Sequence, residues 1–247
     1  QSAFKGEDAM ANAILYVNSD TSPKVYFLKG HGETDIYSLR AITDLLQAEN
    51  FTCEAIDSTG LVNVQVGDTL VICAPSSDIS AEELELLRNV MNNGGKLIYL
   101  ANLGYDLPRF EELLGAYGMG VDHNVVYESS PSNYLQYPVI LVPTLATHNV
   151  TSTLRSGSLK AYIPNSSSLT ALNIKNSALT VTSLLNTSAT AYAKANTEAT
   201  TYEKEEGDLE GQFSLAMAAE LQNYEDEKLS SKVVVFGSSL FLTKYYT

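Results

Sequence analysis

Tryptophan is absent from this 247-residue chain, cysteine occurs twice, histidine three times, and Lys and Arg together number 15 against 29 acidic residues. Each shortage removes a class of function. Two cysteines cannot build a disulfide framework. Cys53 and Cys73 each lie in an apolar, strand-like run (51–56 and 70–74) and read as small buried hydrophobes. No CxxC, HExxH or close His/Cys/Asp spacing occurs, so the sequence offers no zinc motif and no metal ligands. Basic residues are sparse and scattered, and the net charge is −14. Nucleic acid, which needs clustered Lys and Arg against phosphate, is therefore excluded as a partner, and so is direct adhesion to anionic lipid. The longest apolar runs, 70–74, 139–142 and 233–236, fall far short of the roughly 20 residues that span a bilayer.

What remains is ordinary globular material, 45% apolar, with a clear rhythm in its first half. Residues 7–17 carry Met10, Ala13, Ile14 and Val17 at helical spacing and predict an amphipathic lead-in helix. Strands are expected at 24–28, 52–56, 69–74 and 96–101. Helices are expected at 36–48, with Leu39, Ile42, Leu45 and Leu46 on one face, and at 108–117. Ser80 and Glu83 form a capping box that opens a helix to about residue 92, where Gly94 and Gly95 stop it. This alternation predicts an α/β, flavodoxin-like, doubly wound, mainly parallel sheet.

Beyond residue 120 the composition turns to Ser, Thr, Asn and Tyr. Residues 125–200 predict a β-rich insertion or second layer within a single domain spanning 1–247, with strand-like pieces at 139–142, 159–163 and 178–184. Residues 196–211 read as an exposed charged loop. Phe213, Met217 and Leu221 predict a helix over 212–222, and residues 232–236 a strand that returns to the main sheet.

The most conspicuous candidate site is the turn Gly30-His31-Gly32-Glu33, at the carboxyl end of the first strand, where open α/β sheets bind ligands. Glycines there admit backbone approach, and His31 and Glu33 are an acid–base pair in principle. The turn lacks the third glycine of a dinucleotide fingerprint and the Gly-Lys-Ser/Thr of a P-loop, so no nucleotide cofactor is implied. Ser76 and Ser77 after the third strand, and Gly237, Ser238 and Ser239 after the last, are expected on the same rim. Together the three loops predict a shallow cleft for a small polar ligand or a protein surface. No GxSxG or GxCxG elbow occurs; Cys73 sits before Ala74-Pro75, where proline removes an amide that an oxyanion hole would use. His123 and His148 lie in polar stretches with no partner indicated by spacing. The 15 tyrosines, several in 125–202, suit recognition or a half-buried β layer equally.

Several segments, in order, resemble one family. They are residues 4–17 (FKGEDAMANAILYV), 24–33 (KVYFLKGHGE), 68–75 (DTLVICAP), 84–100, 113–118 (LLGAYG), 206–213 (EGDLEGQF) and 233–241 (VVVFGSSLF). The chain resembles the auxiliary component of gliding-motility-type ABC transport systems. That resemblance implies a non-catalytic extracytoplasmic binding or assembly domain, with a fold related to class I glutamine amidotransferases. It further implies tethering by transmembrane helices before and after this segment, and an ABC permease and its ATPase as partners. No catalytic residues come with it. Two other readings stand beside it: an amidotransferase-like or hydrolase enzyme working through His31 and Glu33, and a sugar- or peptide-binding module.

Overall fold

The computed structural model describes residues 24–199 and 201–243 of the chain; the helix expected over 7–17 lies outside them. The first half runs β1 (Lys24–Leu28), α1 (Arg40–Ala48), β2 (Thr52–Ile56), β3 (Thr69–Cys73), α2 (Ala81–Asn92), β4 (Lys96–Leu100) and α3 (Pro108–Ala116). The second half is mostly strand: β5 (Met119–Val121), β6 (Val125–Tyr127), β7 (Tyr134–Leu135), β8 (Tyr137–Leu141) and β9 (Thr144–Leu145). A short helix α4 (Ser152–Ser156) follows, and then β10 (Ile163–Pro164), β11 (Leu169–Ala171) and β12 (Leu179–Asn186). The chain closes with β13 (Tyr192–Lys194), β14 (Leu209–Glu210), β15 (Ser214–Leu221) and β16 (Ser231–Phe236).

The fold is mixed α/β around a central, mainly parallel sheet. Five strands, β2-β1-β3-β4-β16, lie side by side, all parallel; β15 then pairs antiparallel to β16. Strands β12 and β11 both pair with β15, so part of the β-rich stretch joins the main sheet. Near-continuous apolar sequence in β1, β3, β4 and β16 follows from cover on both faces. Alternate residues point to opposite sides. Tyr26, Leu28, Leu70, Ile72, Leu97, Tyr99, Val233 and Val235 pack with Leu84, Leu87 and Met91 of α2 and Phe110, Leu113 and Leu114 of α3. Val25, Phe27, Val71, Cys73 and Leu100 face the other way, onto Leu39, Ile42 and Leu46.

Two three-stranded sheets, β10-β8-β7 and β14-β13-β6, supply the second β layer. Val126, Leu141, Ile163 and Ala193 meet Leu184, Leu185, Leu215, Ala216 and Ala218 across that interface.

Three expectations need correction. Residues 212–222 contain strand β15, not a helix. Met217 and Leu221 are four apart, and an even spacing puts residues on one face of a strand as well as of a helix. The tertiary context decides: β15 is paired on both edges and buried along residues 214–219, where Ala216, Ala218 and Ala219 let both layers approach. Of 159–163 only the end is strand; the Leu159 amide instead donates to the Leu154 carbonyl and closes off α4. Finally, 36–48 opens with a 3-10 turn, Ile36–Leu39, capped by the Asp35 side chain accepting from the Tyr37 amide, before α1 begins.

Candidate functional site

The carboxyl ends of β1, β3, β4 and β16 share one rim, because the four strands are parallel neighbours in the order β1-β3-β4-β16. The Gly30-His31-Gly32-Glu33 turn stands on β1. Its shape depends on the second glycine: Gly32 has φ +73°, and a Cβ there would sit 1.9 Å from Ser76 Oγ. The His31 carbonyl accepts the amides of Ser76 and Ser77, both at 2.9 Å, and Thr34 N donates to Cys73 O at 2.8 Å. The turns after β1 and β3 are thus tied by backbone.

Side chains tie them further. His31 Nδ1 lies 3.2 Å from Glu33 Oε1, and the His31 amide donates to Glu33 Oε2 at 2.7 Å. His31 Nε2 lies 3.1 Å from Glu83 Oε1. Glu83 belongs to the capping box of α2: its Oε2 accepts the Ser80 amide at 2.7 Å while Ser80 Oγ accepts the Glu83 amide at 3.2 Å. The Ser58 hydroxyl donates to Glu83 Oε1 as well. The Phe110 and His31 rings meet in a T-shaped contact, centroids 6.1 Å apart at 85°. The His31 side chain is 10% exposed and that of Glu33 only 1%.

The chemistry of this cluster is that of a clamp. Ser58 first, then the Ser80 amide, and after them His31 pull the Glu83 carboxyl down to about 2. Both imidazole nitrogens of His31 face carboxylate oxygens, leaving neither free for a substrate proton. Ser58 donates to a carboxylate rather than to the imidazole, so the serine–histidine bond of an activated nucleophile is not formed. Burial pushes the Cys73 thiol up to about 11, against a hydrogen bond from Thr34, which makes it a poor thiolate source.

The structure groups Gly30, His31, Gly32 and Glu33 with Ser76 and Ser77, but not with Ser238 and Ser239. Strand β4 intervenes, and Asn102 Nδ2 bridges the carbonyls of Ala74 and Pro75 there, 3.3 Å from each. Ser238 and Ser239 are buried; Ser238 Oγ donates to Pro164 O at 2.7 Å. A Cβ on Gly237 would lie 2.0 Å from Ser167 O, so this turn is packed into the run Ser166-Ser167-Ser168. The cleft expected from three loops is therefore two joined loops plus a separate, filled one. The reason is packing from the second β layer, which strand spacing does not reveal.

His123 also departs from expectation: its Nε2 pairs with Glu111 Oε1 at 2.7 Å, with Asp106 close by. Sequence spacing conceals this trio, since the histidine comes from the turn between β5 and β6 and the carboxylates from the start of α3. His148 is structural, its Nδ1 accepting the Val150 amide at 3.2 Å. Of the tyrosines, Tyr127 and Tyr192 stack in the interior, 5.2 Å apart and 8° from parallel, whereas Tyr137 and Tyr202 remain half exposed beside them. Lys194 is fully buried next to this stack, and its Nζ donates to the carbonyls of Thr201 and Glu203 at 3.3 and 2.6 Å. Of the loop expected at 196–211, Leu209–Glu210 is strand β14, paired with β13, and the described remainder is mostly exposed and fastened by Lys194. An apolar cavity of about 370 Å³ is lined by Leu154, Tyr162, Ile163, Leu184, Phe236 and Phe241, among others, with no charged group. Among the described residues no helix is long and apolar enough to cross a membrane.

No protein-family model matches the chain, and no curated protein matches it. Solved structures do. One described as the mmIFT52 N-terminal domain superposes with a TM-score of 0.65 at 15% identity, covering 90% of this chain and 89% of that one. A ThuA-like protein from Bacteroides uniformis gives 0.49 at 15% identity, with coverages of 90% and 86%. An exo-β-1,4-mannosidase, Op5Man5, from Opitutaceae bacterium strain TAV5 gives 0.44 at 12%, covering 91% of this chain and 33% of the other. At such identities the likeness concerns the fold alone.

Proposed function

We propose that this chain is a non-catalytic, extracytoplasmic binding or assembly domain of a membrane transport complex, whose partners are an ABC permease and its ATPase. The observation that carries the reading is the internal use of the rim's ionisable groups. His31, Glu33, Glu83 and Ser58 spend their donors and acceptors on one another and on the backbone. A catalytic rim keeps at least one such group turned toward substrate.

Further support comes from the strand order β2-β1-β3-β4-β16, which is the order of a flavodoxin-like sheet. On this reading the fold is a doubly wound relative of class I glutamine amidotransferases without their nucleophile. The segments that resemble the gliding-motility-type auxiliary component include β1 with its turn, where His31 and Glu33 stand, together with β3, most of α2 and β4. Tethering by transmembrane helices on either side belongs to the same proposal. The exposed parts of the rim, Gly30, Gly32 and Ser77, offer backbone groups and a hydroxyl to a neutral polar ligand or a partner's surface.

The test is co-purification. The full open reading frame, expressed with its neighbouring permease and ATPase and extracted in mild detergent, is expected to carry both subunits through two affinity steps. A chain that elutes alone, together with robust His31-dependent hydrolysis in a broad substrate screen, overturns the reading in favour of an enzyme.

A further inference from the structure

The cluster of Asp106, Glu111 and His123 takes no part in the clamp. Asp106 lies in the loop before α3, Glu111 in the first turn of α3, and His123 in the β5–β6 turn. One ligand atom from each, the two carboxylate oxygens and an imidazole nitrogen, all lie within 4.8 Å of one another. We infer that these three side chains bind one divalent cation of the zinc class.

Ligand chemistry selects the class. Calcium and magnesium favour all-oxygen shells, whereas an imidazole with two carboxylates suits zinc and its transition-metal neighbours. Zinc bonds to nitrogen and oxygen are about 2.0–2.2 Å long, so ligands at tetrahedral angles on one ion stand roughly 3.3–3.6 Å apart. Ligand atoms within 4.8 Å of one another reach that spacing by shifts of at most about 1.5 Å, and the Asp106 and His123 side chains, both exposed, have room to make them. Three protein ligands leave further positions open to water or to a group from a partner.

The backbone beneath the ligands is fixed. His123 adopts φ +49° between two residues that are each bonded to Ser168. Asp122 Oδ2 accepts from Ser168 Oγ at 2.6 Å, and the Asp122 amide donates to Ser168 O at 3.0 Å. Asn124 Oδ1 accepts the Ser168 amide, and Asn124 Nδ2 donates to Ser168 Oγ, both at 2.9 Å. Asn124 and Ser168 are buried, so these bonds are shielded from water. Across the site, Asp78 holds the amides of Arg109 and Phe110 at 3.0 and 3.3 Å and so pins the turn that carries Glu111. A site presented by two anchored turns loses little entropy on closing around an ion.

Charge points the same way. His123 pairs with Glu111, and among the described residues the Asp106 carboxylate has neither an ion pair nor a hydrogen bond. The imidazole thus serves Glu111 alone and leaves the Asp106 charge unpaired, whereas a divalent cation neutralises both carboxylates.

Calorimetric titration of chelator-treated protein with zinc chloride tests the inference. One equivalent is expected to bind, with affinity at least about ten-fold lower in His123→Ala and in Asp106→Asn, and unchanged in the control His148→Ala. Cobalt is expected to give a visible ligand-field spectrum that His123→Ala abolishes, and calcium is expected not to compete. Circular dichroism establishes that each variant is folded; should His123→Ala unfold, the exposed Asp106→Asn change decides alone. Absence of stoichiometric zinc binding, binding unaltered in the Asp106 and His123 variants, or equal competition by calcium each overturns the site. None of these results depends on whether the chain serves a transporter.

Discussion

Replacing Glu83 by Gln probes the clamp, because glutamine keeps an oxygen that can accept the Ser80 amide and puts a neutral NH2 in place of the oxygen that accepts from Ser58 and faces His31. In the folded protein the Glu83 carboxyl is pulled from its ordinary 4.5 to about 2, by Ser58 first and then by the Ser80 amide and His31. At 1.36 kcal/mol per unit this corresponds to an upper figure of about 3 kcal/mol. A quarter of the side chain is open to solvent, so about 2 kcal/mol is the reasonable expectation. The sign follows from linkage. A carboxyl depressed in the folded state stabilises fully above about pH 4.5, and that contribution drains away as the pH falls toward 2. Urea unfolding at pH 7 is therefore expected to show a midpoint about 1 M lower for Glu83→Gln than for the parent, given slopes of about 1–3 kcal/mol/M. At pH 2.5 the gap should shrink to about a quarter of its neutral value. Equal midpoints at pH 7, or a gap that persists undiminished at pH 2.5, refute the charge-based clamp.

The remaining predictions concern packing and access. Gly32→Ala forces a side chain into positive φ and against the Ser76 hydroxyl, at a cost of about 1–2 kcal/mol. Gly237→Ala meets the Ser167 carbonyl itself, so it should melt at clearly lower temperature than Gly32→Ala; the reverse ranking contradicts the packing of the last turn. Cys73, buried and raised to about 11, is about one part in a thousand thiolate at pH 8, so Ellman's reagent should leave it unlabelled until denaturant is added. Fast labelling of both thiols in native buffer counts against that burial. Lys194→Met removes the Nζ that fastens the carbonyls of Thr201 and Glu203, and should speed cleavage by a glutamate-specific protease within 198–210. An unchanged cleavage rate shows that the loop is held by other contacts.

Much of the first half was legible because its elements carry local signals. The Ser80–Glu83 capping box, the paired glycines after α2 and the apolar runs of β1, β3 and β4 each specify an element within a few residues. The second half was harder to read, since β15 takes its conformation from β12 and β16 on either side. An alanine-rich segment with large apolar residues four apart satisfies both periods. The site divides along the same line. Glycine and histidine after a strand marked the turn, but that both nitrogens of His31 are taken required Glu83, 52 residues away. Likewise Glu111 and His123 meet only because β5 and α3 pack together, a pairing that no spacing rule encodes.

If the rim's histidine is a structural clamp and not a catalyst, the His31→Ala variant shows it directly. Thermal unfolding should fall by roughly 5–10 °C, at about 2–4 °C per kcal/mol for a chain of this size, while a broad hydrolase and amidotransferase screen detects the same background for both proteins. A melting temperature that stays put, alongside turnover that vanishes with the imidazole, contradicts the account.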